Sequence, residues 1–417
     1  MKIGLITESP TVATGFGTRA RLLINLLAAL GHETVVFAIS AINQPFDPAD
    51  YPCRIVPIAR DQLVAIEMVG SFLAVEQPDV LFVHYDLSTA CWYIERARAD
   101  GWNGPVMTHF VIDSLPVSRD LLDVLRTVDV AITPTVTAAS YCASAGIEHV
   151  IAAPYSVDQS IFHPLPNRAE LRRAAGLRDR FVVGVFGRNV ERKQQPRVML
   201  AIQRLVQAGL GNDIVLYLHC QPKNDDPWLS TWNLHDVAEQ LGLADRVLFP
   251  PPEFRQLIGI PYQSDATDLD MTTIATPDRP QIPSEYGYVE RLNLCDLVVN
   301  VPYNGAFELA SIEAQSCGIP VAVTNDRGAI VEVAGDGAIL LDPIDIAIHS
   351  SGGRQFFVSA QTIADAILEV KQNPILRADC IRRGAINASR YHIDVLADAI
   401  RRALLSIDQV SMIDMPV

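Results

Sequence analysis

Two segments far apart in the chain carry residue types suited to phosphate and sugar. The first is "VPYNGAFELASIEAQSCGIPVAVTNDRGAIVEV", residues 301–333. A strand ends near Pro302, and the loop Tyr303-Asn304-Gly305-Ala306 leads through Phe307 into a helix that stops at Gly318. That order aims the N–H groups of a helix start at the carboxyl end of a parallel strand, a place that favours anions, chiefly phosphate. Glu313 lies inside this helix, and helical side chains lean toward the N-terminus. Its carboxylate could accept both hydroxyls of a ribose. The second segment is "GVFGRNVERKQQP", residues 184–196, in which a strand runs into Arg188 and Lys193. Two cations beside a helix start suit a diphosphate, the guanidinium as a fork and the ammonium as a point charge. Lys193 is one of four lysines, with Lys2, Lys223 and Lys371. The plain alternative is a solvated basic loop.

A third segment, "TGFGTRARLLINLLAALGHE" at 14–33, sets Gly15 and Gly17 around Phe16 before a leucine-rich helix. A phosphate cradle, a sugar-binding loop and a bare tight turn all fit it. Without a third glycine it is not the dinucleotide fingerprint. "GPVMTHFVIDS" offers His109 and Asp113, and "VLFVHYD" offers His84 and Asp86. "DLD" at 268–270 sits in an irregular stretch, and no His, Cys and carboxylate cluster has metal-ligand spacing, so no metal is expected.

These residues need elements to hold them. "KIGLIT", "TVVFAI", "DVLFVHY", "PVMTHFVI", "DVAITPT" and "HVIAAPYS" read as strands, with helical stretches between several of them. Continuous apolar runs, in place of alternation, mark strands buried on both faces. A second set follows Pro164 and Pro166: "FVVGVFG", "DIVLYLHC", "RVLFPP", "DLVVNVPY", "PVAVTND" and "AILLDP". Repeated strand–helix units predict a parallel sheet covered on both sides. The fold expected is α/β, two doubly wound Rossmann-like parallel-sheet domains facing a cleft. The boundaries expected are 1–165, 166–385 with an irregular insertion at 251–288, and a terminal helix segment, 386–417, packing back on the first domain.

At 417 residues the chain is too long for one core. Apolar residues make up 49% and charged residues 19%, an ordinary globular mix, and no apolar run reaches membrane-spanning length. A net charge of −15 argues against a broad nucleic-acid-binding face. Seven scattered cysteines without a CxxC point to reduced thiols and a cytoplasmic setting. The start "MKIGLITESP" reads as a first strand, not as a signal peptide.

Together the segments resemble the GT-B fold retaining glycosyltransferases, in particular the large family 4. "GRNVERK" resembles the family's GR…K pair. "IEAQSCGIPVAVT" resembles its EA-x-x-CG-x-PV segment, "APYSVDQSIFHP" its domain junction, and "TGFGTRARLLINLLAALGHE" its first loop and helix. The likeness runs through about 1–250 and 289–400 in consistent order. It implies a metal-independent transfer of a sugar from a nucleoside-diphosphate-sugar, with retention and without another cofactor. It implies Arg188 and Lys193 on the leaving diphosphate, Glu313 on its ribose, and Asn304, Gly305, Ala306 and Phe307 along phosphate and sugar. It also implies Gly15 and Gly17 facing the diphosphate, and His109, with Asp113, at the reacting centre. Here the histidine falls one residue early, and a one-residue shift in a strand reverses its face. The family's first glutamate falls on Gly305, which puts the sugar contact in question; Glu308 could replace it if the loop is rearranged. A nucleotide-sugar binder without transfer, and a sugar-nucleotide epimerase or phosphorylase, are the alternatives. The acceptor stays open among small molecules, glycans, lipids and nucleic acid, the last two disfavoured, and so does the oligomeric state.

Overall fold

The computed structural model describes residues 1–12, 14–41, 46–59, 61–223, 231–250 and 280–413. The chain forms two compact units, one of residues 1–156 with the helix Ile393–Ile413, the other of residues 157–392. The division falls between Ser156 and Val157, against 165/166 on the sequence reading. Most of the insertion placed at 251–288, including the DLD triplet, lies outside the described residues.

Unit 1 is built on a seven-stranded parallel sheet. Its strands are β1 (Lys2–Glu8), β2 (Glu33–Ile39), β3 (Arg54–Pro57), β4 (Val80–Asp86), β5 (Val106–Val111), β6 (Val130–Thr133) and β7 (Val150–Ala152). Their order is β3-β2-β1-β4-β5-β6-β7. The inner strands are buried along nearly their whole length, as their apolar runs predict. One sheet face packs a core with Phe37, Phe72, Leu81, Tyr93 and Phe110. The other packs Ile3, Leu5, Phe82 and Met107 against Leu23, Ile24 and Leu27 of the helix Gly15–Ala29, and against Leu396, Ile400 and Leu404 of the last helix.

Unit 2 repeats the plan with β8 (Phe181–Phe186), β9 (Ile214–His219), β10 (Val247–Leu248), β11 (Leu297–Asn300), β12 (Val321–Thr324) and β13 (Ala338–Leu341), in the order β10-β9-β8-β11-β12-β13. An antiparallel hairpin, β14 (Pro343–Ile348) and β15 (Arg354–Val358), follows and is absent from the sequence reading. Its signal is the period-two run Ile344, Ile346, Ile348 before Gly352-Gly353, which turns apolar residues to the surface.

In both sheets the strand order reverses once, between β1 and β4 and between β8 and β11. Open α/β sheets bind ligands beyond the carboxyl ends of strands at such points. The segments singled out in the sequence leave the sheets there. Gly15 follows β1, Lys193 follows β8, and residues 303–308 follow β11.

Candidate active site

In unit 2, β8 and β11 are neighbours, in register through Leu297–Val183 and Val298–Gly184. Their outgoing loops are therefore forced together. Gly187, at φ 147°, turns the chain off β8 in a conformation that side chains rarely adopt, and the Lys193 stem lies against it. Asn189 anchors the loop by donating to the carbonyls of Pro222 (3.1 Å) and Trp232 (2.7 Å). Tyr303 N–H donates to Arg192 O at 3.0 Å, tying the second loop to the first.

The centre of the constellation is Glu308. It is 5% exposed. Lys193 Nζ pairs with its Oε2, Arg192 lies 3.3 Å from Oε1, and Asn300 Nδ2 donates to Oε2 at 3.1 Å. Burial pushes the Glu308 carboxyl up, but Lys193, Arg192 and the hydrogen bonds outweigh it and hold the group down at about 2. It is ionised at any working pH. Arg192 also donates to Asn304 O at 3.2 Å. Asn304 Oδ1 is buried without a hydrogen-bond partner among the described residues, and the N–H groups of Gly305 and Ala306 donate to no other described group. Cations and unspent amides thus converge just before the helix Leu309–Ser316, an arrangement that can take a phosphate oxyanion.

The cation pair differs from the one read in the sequence. Arg192 and Lys193 share Glu308, whereas Arg188 is exposed and makes no ion pair among the described residues. The short 3-10 turn Glu191–Lys193 accounts for this, because it brings adjacent residues onto one carboxylate. Phe307 packs edge-on against Tyr391. Glu313, one turn into the helix and half-buried, accepts from Tyr288 OH at 2.8 Å. Tyr288 in turn packs edge-on against Phe186 and His219, at 5.5 and 5.0 Å between ring centres. Arg192, Asn300 and Tyr288 escape the sequence reading. The first has a signal in its place beside Lys193, and the second in being the polar end of an apolar strand. Tyr288 has none, since only the fold brings it to Glu313.

In unit 1 the glycine segment is no loop. The helix starts at Gly15, capped by Thr14, whose hydroxyl accepts from Gly17 N–H at 3.0 Å and donates to Glu8. Gly17 N–H is thereby already used. A Cβ on Gly17 would run into the carbonyl oxygens of Val12 and Ser9, so Gly17 is small for packing. Gly15 is exposed, with open space around it among the described residues.

His109 lies in mid-strand, in register with His84, on the sheet face that carries Met107. It has no exposed surface, and both ring nitrogens lack a hydrogen-bond partner among the described residues. Its ring centre is 4.9 Å from that of Tyr155 and 5.5 Å from that of His84. Burial, helped by Arg19, pulls it down to about 3, so it is a neutral imidazole. His84 is also fully buried, between Thr7 Oγ1 (2.9 Å) and Tyr155 OH (3.2 Å). Arg19 stacks over Tyr155 and donates to Ser156 O at 2.8 Å. Asp113 is exposed beyond the end of the strand. A substrate-facing His109 is therefore not what this arrangement offers. Packing is the reason: the sheet is covered on both faces, and the rings of Tyr155 and His84 close over this residue.

No protein-family model matches the chain. A D-inositol 3-phosphate glycosyltransferase of Stackebrandtia nassauensis is 27% identical over 189 residues, 45% of this chain and 36% of that protein. The same-named protein of Saccharomonospora viridis is 26% identical over 255 residues, 60% of this chain and 49% of the relative. The match spans between a third and a half of these relatives' length. Among solved structures, sucrose-phosphate synthase of Thermosynechococcus elongatus superposes with a TM-score of 0.72 at 16% identity, covering 98% of this chain and 100% of that one. HepE of Anabaena in complex with UDP-glucose gives 0.68 at 18%, covering 97% and 100%. The fold of this chain is GT-B, and its sequence resembles that of glycosyltransferases.

Proposed function

We propose that the protein is a glycosyltransferase that moves a sugar from a nucleoside-diphosphate-sugar to an acceptor hydroxyl, with retention at the anomeric carbon and without a metal. The observation that supports it best is the meeting of Lys193 and Arg192 on Glu308, beside Gly305, at the point where the sheet order of unit 2 reverses. In this reading the two cations stabilise the diphosphate as it leaves, the task a metal would otherwise perform. Arg188 adds a third charge from the solvent side. Glu313, steadied by Tyr288, accepts from the ribose, since a carboxylate bonded once keeps acceptor capacity. Gly15 allows close approach of ligand at the first helix of unit 1, and Asp113, not the enclosed His109, is the polar group open to an acceptor. UDP-glucose bound to the HepE neighbour makes a uridine donor the first to try.

Lys193→Ala is expected to cut turnover by roughly 10²–10³-fold, with the fold kept but a lower melting temperature, because Glu308 is left buried with one cation fewer. Donor and acceptor panels with released nucleoside diphosphate as readout would measure it, and an unchanged rate would refute the role. A binder without transfer is the second reading, favoured by the glycine at 305. Donor binding without transfer or slow hydrolysis across a broad acceptor panel would establish it.

A further inference from the structure

The carboxylate of Glu308 occupies the space beside Gly305. A Cβ on residue 305 would meet Glu308 Oε1 at 2.5 Å, Cδ at 3.3 Å and Cγ at 3.4 Å. Gly305 is not among the glycines with positive φ, so space and not backbone conformation requires a glycine there. The carboxylate can yield to such a methyl group only by leaving its partners. It is buried and held from three sides by Lys193, Arg192 and Asn300.

We propose that Glu308 is the resident counter-ion of the diphosphate site, that Gly305 is its matched partner, and that this pair sets how firmly the site grips its anion. The proposal rests on the reading of unit 2 as the donor-binding unit. Two cations held close together repel each other and lose hydration; a fixed carboxylate between them keeps both near and aimed. The same carboxylate opposes an incoming diphosphate. Neutralising Glu308 makes the charge beside Arg192 and Lys193 more positive by one unit. The site is thus preorganised for an anion but kept from holding its product too long.

The test is titration calorimetry of inorganic pyrophosphate and UDP against the full chain, Glu308→Gln and Gly305→Ala. Glutamine keeps the volume and can still accept from Asn300. Glu308→Gln is expected to bind pyrophosphate roughly tenfold tighter, with a steeper loss of affinity in salt. Its turnover should fall as product release slows and the cations lose their aim. The unliganded variant should melt lower than the parent, and pyrophosphate should restore more of its melting temperature than it adds to the parent. Gly305→Ala should shift affinity in the same direction, because its methyl group drives the carboxylate off the cations. Unchanged or weaker pyrophosphate binding in Glu308→Gln would overturn the proposal. If Glu308→Gln does not fold, unchanged binding in Gly305→Ala would do so. If the parent binds pyrophosphate but neither UDP nor any nucleotide sugar, the donor reading fails, and the pyrophosphate comparison still decides the role of Glu308.

Discussion

Lys193 shows how a residue's neighbours change its chemistry. On the sequence it is a cation waiting for a diphosphate; in the fold it is already paired with Glu308. Glu313 is likewise not a bare carboxylate, because Tyr288 donates to it at 2.8 Å. Tyr288→Phe removes that donor and little else, since the ring keeps its place against Phe186 and His219. Losing one hydrogen bond to a charged group is worth about 1.5–3 kcal/mol when the group is dry, and less where water can replace it. We expect the KM for the donor to rise roughly fivefold with kcat nearly kept. Equal loss in kcat alone would show that Glu313 does not serve ground-state donor binding.

Element geometry decides what the two glycines of the first helix do. A loop would leave both amides for a ligand, but a helix start capped by Thr14 uses that of Gly17 and exposes Gly15. The two substitutions should therefore part company. Gly17→Ala sets a methyl group against backbone oxygens that cannot swing aside, and is expected to destabilise by ~1–3 kcal/mol, read from urea unfolding. Gly15→Ala meets open space and should leave stability unchanged or slightly raised, while weakening donor or acceptor binding if a ligand approaches there. Equal destabilisation by both would contradict the helix-start geometry. The strand–loop–helix order around 301–316 is legible in the sequence, because apolar runs, Gly318 and Pro320 punctuate it. The glycine segment is harder to read: Thr14 is a plausible cap, yet the pressure on Gly17 comes from carbonyls at 9 and 12, which only the turn brings near.

At the scale of the molecule, three histidines are held neutral, His84 and His109 fully enclosed and His219 half-buried. Burial holds His109 and His219 at about 3, against an ordinary 6.5, and holds His84 well below it too. Their folded values lie below the unfolded one, so their contribution to stability is complete above pH 6.5 and declines as pH falls from there toward 3. Glu308, held at about 2 against 4.5, follows the same sign rule in a lower window. Its contribution is present above pH 4.5 and is lost as pH falls through 2. Acid should thus weaken the fold from about pH 6.5 downward, each buried histidine adding up to ~1.4 kcal/mol per pH unit. His109→Phe should flatten that slope and keep or raise stability at pH 7, because two nitrogens without a partner among the described residues disappear. Denaturant midpoints at pH 7, 6 and 5 would read it; an unchanged slope would show that His109 is protonated in the fold.

The sequence by itself determined the two parallel sheets, since strands buried on both faces need unbroken apolar runs. It also singled out the loops that the proposed function assigns to phosphate, since glycine, basic residues and a helix start recur after the strands. Tertiary structure alone decided that Arg192 joins Lys193 on Glu308, that Tyr288 reaches Glu313 and that His109 is fully enclosed. The reason is physical: periodicity records whether a side chain is buried, a property of its own element. Which charge faces which depends on strand order and register, and these bring together residues more than a hundred positions apart.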